Sequence, residues 1–222
     1  TYRATALPLL VLGATPILCD CQRDTANIDP DQIRKKITKK TKAIVVTHLW
    51  GHPCDMDEIL EISNEHNLPI VEDCAHSVGA EYDNQLVGTI GRVGCFSFDD
   101  NKIMASGEGG MLITNDQALF ERAVIFSDFA GRLSHQLKIE KNVKYRGTGI
   151  GLKYRIHPLA AAIANEKLKI LDKELNRDRL LTLNYFSNKL SKTTSISPPI
   201  TKNNVKRGGY YGYKPIYDAE KL

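Results

Sequence analysis

No run of apolar residues in this chain approaches the roughly 20 needed to cross a bilayer as a helix, so no membrane span is expected. Nothing at the start has the charged, apolar and small-residue parts of a secretory signal. Cysteine is sparse: Cys19, Cys21, Cys54, Cys74 and Cys95 are dispersed through apolar stretches, with no Cys-x-x-Cys and no Cys/His ligand spacing. An odd, scattered set argues against a disulfide framework and a zinc module, and it reads as buried thiols in a reducing, cytoplasmic setting. Cys19-Asp20-Cys21 would put two thiols on one face of a strand, and two ligands are not a site, so no metal is expected. Charge of one sign is also missing. A formal net charge of +4 is too mild to suggest a nucleic-acid surface. Neither G-x-G-x-x-G nor a P-loop occurs, which leaves an unrelated nucleotide-binding α/β enzyme without a signature. There is no internal repeat and no low-complexity tract. The chain also lacks an initiator Met and opens on TYRATALPLLVLGATP, which already reads as a packed element, so an N-terminal region is expected to precede it.

What is present is an alternation of strand-like and helix-like segments. Thr15 to Cys21, Lys42 to Thr47, Leu68 to Glu72, Val93 to Phe98 and Gly110 to Thr114 read as strands. Asp29-Pro30 starts a helix, with Asp29 as N-cap and Pro30 at the first helical position. Asp55 to His66 is an amphipathic helix with Met56, Ile59, Leu60 and Ile62 near one face, and Asp116 to Ser127 is another helix. This βαβ rhythm predicts an α/β fold with a mostly parallel central sheet flanked by helices. Arg132 to Gly149 is polar and basic and reads as a loop. A long helix, whole or broken, runs from about His157 to Leu190. After Ser191 the composition shifts to Ser, Thr, Pro and Asn and then to GGYYGYKPIYDAEKL. Residues 1–190 are therefore read as a large domain, and 191–222 as the beginning of a smaller one.

Residues able to carry chemistry concentrate between Val71 and Gly110. Asp73 ends a hydrophobic strand, and open α/β sheets bind ligands at the carboxyl ends of their strands. A carboxylate there is either functional or a helix cap. Ser97 lies in the strand-like CFSF, and Lys102 follows it by five residues. A single lysine after a strand is more often merely solvated. Gly107, Gly109 and Gly110 bracket Glu108, a run that permits positive φ or close backbone approach.

Taken in order, Glu72-Asp73-Cys74-Ala75-His76, then Phe96-Ser97-Phe98 with Lys102, then Gly107-Glu108-Gly109-Gly110 resemble the sugar aminotransferases of the DegT/DnrJ/EryC1/StrS type, in the fold-type I pyridoxal-phosphate group. The resemblance extends through ANIDPDQI, THLWGHPCDMDEI, GLKYRIHPLAAAIA and Asn176 to Arg179, and so covers nearly the whole chain. It implies pyridoxal phosphate as cofactor. Lys102 would form the Schiff base, and Asp73 would pair with the pyridine nitrogen. Ala75 would pack on the ring face, His76 would sit near the 3-oxygen, and Ser97 would bond the phosphate. His48 in THLWG would face substrate or serve in the core. Where many relatives carry Asn before Tyr-Arg this chain has Lys153, which would reach the phosphate of the neighbouring subunit's cofactor and so implies a homodimer.

The implied reaction moves an amino group from glutamate or glutamine to a keto-sugar attached to a nucleotide. A dehydratase of the same family typically has His in place of the Schiff-base lysine, and Lys102 disfavours it. A non-catalytic binding subunit is disfavoured by the retained Lys102 and Asp73. Lys138, Lys141, Lys144 and Arg146 could meet a nucleotide diphosphate, although a solvated basic loop is the plainer reading. KKITKKTK from Lys35 reads as an exposed helix end.

Overall fold

A computed structural model describes residues 2–128, 134–146 and 151–221. In chain order it contains α1 (Leu7–Val11), α2 (Pro30–Lys36), β1 (Ile44–Thr47), α3 (Met56–His66), β2 (Ile70–Asp73), β3 (Glu81–Tyr82), β4 (Gln85–Leu86), β5 (Val93–Ser97), β6 (Gly110–Ile113), α4 (Gln117–Ser127), α5 (Glu140–Val143), α6 (Pro158–Ile170), α7 (Arg177–Leu190), β7 (Ile196–Ser197), β8 (Val205–Lys206) and β9 (Ile216–Tyr217).

The central sheet has the order β1-β2-β5-β6. β1, β2 and β5 are parallel, with Thr47 opposite Asp73 and Asp73 opposite Cys95, and β6 returns antiparallel beside β5. The predicted α/β class with a mostly parallel sheet is therefore what forms. The carboxyl ends of β2 and β5 lie side by side because the parallel register puts Asp73 and Cys95 in one row, and this is the edge that positions the site.

Local chemistry explains the elements. Asp29 caps α2, its carboxylate accepting the N–H of Asp31, and Pro30 occupies the first turn. Asp116 does the same for α4 with the N–H groups of Ala118 and Leu119. α3 ends at Asn67, whose left-handed φ of 50° closes the helix. Met56, Ile59 and Ile62 of α3 and Ile33 of α2 pack with Ile44, Val46 and Ile70 into one core cluster. Each such fully buried side chain contributes about 1.5–3 kcal/mol of apolar transfer energy. A second cluster joins Phe98, Ile103 and Met104 to Ala164 and Leu171. It fixes the segment after β5 against the long helical arm.

Two expectations change, and a third is sharpened. Thr15 to Cys21 is extended but is not a strand. Among the described residues its only ladder contact is an isolated bridge from Cys21 to Ile28, and Ile17 and Leu18 are exposed. An apolar run becomes a strand only when a neighbour pairs with its backbone. The break anticipated in the helix from His157 falls at a π-helical turn, Leu171–Asn176, between α6 and α7. The segment read as a loop carries a 3-10 turn at Ser134–Gln136 and the short α5, while 129–133 and 147–150 lie outside the described residues. Beyond residue 191, β7 pairs with β9, and β8 pairs with β3 next to β4.

Candidate active site

The carboxyl end of β2 presents Asp73, half-buried, with both carboxylate oxygens directed. Oδ2 accepts the Thr5 hydroxyl at 2.6 Å, and Oδ1 accepts the N–H of Ala75 at 3.1 Å. Strand alternation sends Asp73 to the face opposite its buried neighbour Glu72. Ala75 and His76 follow in the turn, and His76 is buried. Burial and the positive charge of Lys102 push the His76 pKa down to about 4, so the imidazole is neutral at physiological pH.

Lys102 leaves β5 through a turn in which its N–H donates to the carbonyl of Asp99 and its carbonyl accepts from Ala105. Its ammonium nitrogen stands 4.3 Å from the ring centroid of Tyr211, and that ring stacks on His76 at 3.9 Å and 15°. One aromatic ring therefore joins the predicted lysine and the predicted histidine, which are far apart in sequence. Ser97 ends β5 opposite Gly110, and its hydroxyl oxygen accepts the N–H of Asp99 at a long 3.4 Å. The Gly-rich turn supplies the curvature: Gly107 and Gly109 have φ of 97° and 132°, and a Cβ on Gly109 would meet Ile156 at 2.8 Å.

One predicted residue falls elsewhere, and Lys153 is expected to serve the neighbouring subunit. His48 is fully buried at the end of β1. Its Nδ1 accepts the N–H of Cys54 at 3.0 Å, and its Nε2 donates to Glu72 at 2.9 Å, so it is closed to substrate and belongs to the core. Lys153 is exposed, and none of the described contacts joins it to the cluster.

His48, Glu72 and Cys74 hold ligand-type atoms within 4.8 Å of one another. However, burial and then the neighbouring carboxylates raise the Cys74 thiol far above its ordinary value, and His48 uses both ring nitrogens. The group is a hydrogen-bond network built on protonated donors.

Three residues have roles that the sequence does not disclose, although Asn176 lies in a stretch that carries the resemblance. Tyr211 sits in GGYYGY, which drew notice only as a change of composition. Thr5 bonds Asp73 across 68 positions. Asn176, in the π-helical turn, donates to the carbonyl of Val78 and accepts from the N–H of Gly209. It thereby ties the segment after Asp73 to the one that carries Tyr211. Long-range pairings of this kind leave no local pattern.

The donor set suits a phosphorylated aldehyde cofactor: an amine, a carboxylate at a strand end, a neutral imidazole and a hydroxyl. The Nδ1 of His76 and the hydroxyls of Ser77 and Ser106 are buried with no hydrogen-bond partner among the described residues, and buried polar atoms in that condition call for one. The residues present fit pyridoxal phosphate. A separate cavity of about 210 Å³, between Trp50, Arg207 and Lys214, reaches Gly212 next to Tyr211 but is lined by none of the predicted residues.

Residues 1–221 match the DegT/DnrJ/EryC1/StrS aminotransferase family. A GDP-perosamine synthase of Escherichia coli O157:H7 is 39% identical over 188 residues, covering 85% of this chain and 50% of that protein. A dTDP-3-amino-3,6-dideoxy-alpha-D-galactopyranose transaminase of Aneurinibacillus thermoaerophilus is 39% identical over 187 residues, 84% of this chain and 49% of that protein. The X-ray structure of S. venezuelae DesV in complex with a ketimine intermediate superposes with a TM-score of 0.87 at 30% identity, over 99% of this chain and 56% of that one. The chain spans about half the length of the curated relatives it matches. Among the described residues no helix is long and apolar enough to cross a membrane.

Proposed function

Because the chain belongs to the DegT/DnrJ/EryC1/StrS aminotransferase family, we propose that it is the cofactor-bearing segment of a pyridoxal-phosphate-dependent aminotransferase that moves an amino group from glutamate or glutamine onto a nucleotide-linked keto-sugar. The observation that carries this is the Lys102 amine held at the face of Tyr211 beside His76, on turns that leave the sheet where Asp73 and Ser97 also end their strands. Relatives named as a GDP-perosamine synthase and a dTDP-amino-sugar transaminase support a nucleotide sugar as acceptor.

When bound, pyridoxal phosphate supplies an aldehyde that exchanges amines and a ring that draws electron density. Lys102 is the amine that would hold the aldehyde carbon and, once free, would move the proton at the substrate's amine-bearing carbon. Asp73, its carboxylate oriented by Thr5, would keep a proton on the ring nitrogen. Ala75 leaves space against the ring. His76, neutral, serves the 3-oxygen. Ser97 would donate to the phosphate, which Lys153 of the partner subunit would also face in a homodimer. In this reading residues 1–190 form the large domain, 191–222 begin a smaller one, and the protein is cytoplasmic.

The test is a visible absorption spectrum of the protein with added pyridoxal phosphate, before and after glutamate. We expect a band that is absent in Lys102→Ala and that glutamate converts to the absorption of the aminated cofactor. A band that survives Lys102→Ala would overturn the assignment.

A further inference from the structure

Glu72 is a carboxylate with no exposure to solvent, and it accepts four hydrogen bonds: from His48 Nε2 at 2.9 Å, from the N–H groups of Gly88 and Ile90 at 2.7 and 2.9 Å, and from the N–H of Gly91. His48 Nδ1 accepts from Cys54 N–H, so Nε2 carries the proton, and the N–H of His48 donates to the carbonyl of Asp73 at 3.1 Å. One side chain thus gathers the end of β1, the 88–91 turn and the last residues of β2. The turn can come this close only because of its glycines. A Cβ on Gly88 would strike the Phe96 ring at 2.6 Å, one on Gly94 would strike the Gly88 carbonyl at 2.3 Å, and one on Gly91 would crowd Ile70 at 3.0 Å. Burial alone would raise the Glu72 pKa. The His48 hydrogen bond, with the Gly88 and Gly91 N–H groups, outweighs burial and holds it below the usual carboxylate range, so the group is an anion locked among donors.

Glu72 faces away from the site, and Asp73, the next residue, faces into it. We infer that Glu72 and His48 are positioning residues: they anchor the carboxyl end of β2 from behind, and so fix the direction in which Asp73 meets the ring nitrogen of the cofactor. This rests on the cofactor reading above. The chain turns by half a repeat between the two carboxylates. A loosened Glu72 therefore rotates Asp73 about the strand, against the hold of Thr5 and the Ala75 N–H.

The experiment uses the full-length protein loaded with pyridoxal phosphate, with Glu72→Gln and His48→Gln, and with Asp73→Asn as reference. The readouts are the pH midpoint of the cofactor's visible band and its induced circular dichroism. We expect both variants to move the midpoint toward that of Asp73→Asn, by about one pH unit, and to weaken the induced dichroism. A purely structural role would lower the melting temperature and leave both signals of the bound cofactor unchanged. That result, given a Lys102-dependent band in the wild type, would overturn the positioning role alone. Absence of any Lys102-dependent band in the wild type would overturn the cofactor reading and this role with it. Should Glu72→Gln fail to fold, His48→Gln keeps the carboxylate and its three backbone donors and decides the matter by the same readouts.

Discussion

Two buried glutamates show how one physical device can serve different ends. Glu72, on β2, and Glu121, on α4, are both sealed from solvent, and each accepts several donors from elsewhere in the chain. Glu121 takes the N–H groups of Lys138 and Ile139 and the side-chain amides of Gln117 and Asn142. Burial would raise its pKa, and those donors bring it down to about 2. What differs is the neighbour. Glu72 adjoins Asp73 at the strand edge where Lys102, His76 and Tyr211 meet. Glu121 holds down the start of the basic segment around α5, where Lys138 and Lys141 are exposed. A buried anion among fixed donors clamps a segment, and only its place in the topology decides whether the clamp serves chemistry.

The largest expected effect comes from breaking the first clamp. Glu72→Ala strips four buried donors of their acceptor and should cost about 3 kcal/mol or more of unfolding free energy, read by urea denaturation, together with loss of cofactor retention. Glu121→Ala should also lower the melting temperature, yet leave the Lys102-dependent absorption band in place. If it abolished that band as Glu72→Ala does, the distinction between the two clamps would collapse.

Acid should next separate the histidines from the carboxylates. Burial and then the charge of Arg207 lower His52 to about 4, and burial and then Lys102 lower His76 to about 4, from an ordinary 6.5. Between those values the unfolded chain binds protons that the fold refuses, so stability falls as pH drops from 6.5 toward 4. Glu121 has the opposite sense of ionisation. Its contribution is complete above its ordinary 4.5 and is lost as pH falls toward about 2. A melting-temperature profile should show the histidine slope first, and His52→Gln should flatten it. The smallest effect belongs to Lys141, exposed on α5. Lys141→Ala should change stability by less than about 0.5 kcal/mol and leave the affinity for a nucleoside diphosphate, measured by calorimetry, unaltered. Weakened binding would show that the basic segment is a phosphate contact and not a solvated surface.

Much of this was legible in the sequence because it is written locally. The Asp29 and Asp116 caps, the apolar face of α3 and the strands around Val46, Ile70 and Val93 follow from spacing alone. The ordered motifs marked Asp73 and Lys102, and the parallel register places their strands side by side. Thr15 to Cys21 could not be settled locally, since an apolar run does not reveal whether a neighbour will pair with it. His48 looked like a site residue because it follows a strand. Its partner Glu72, 24 residues on, turns it into core. Tyr211 and Thr5 reach the site from distant parts of the chain, and nothing in their own surroundings announces it.

The central claim is that Lys102 is the amine that holds the cofactor. The direct test is to load the protein with pyridoxal phosphate, reduce it with borohydride, digest it and locate the modified peptide by mass spectrometry. The account predicts one stable adduct, on Lys102. An adduct on another lysine, or none on a protein that binds the cofactor, would contradict it.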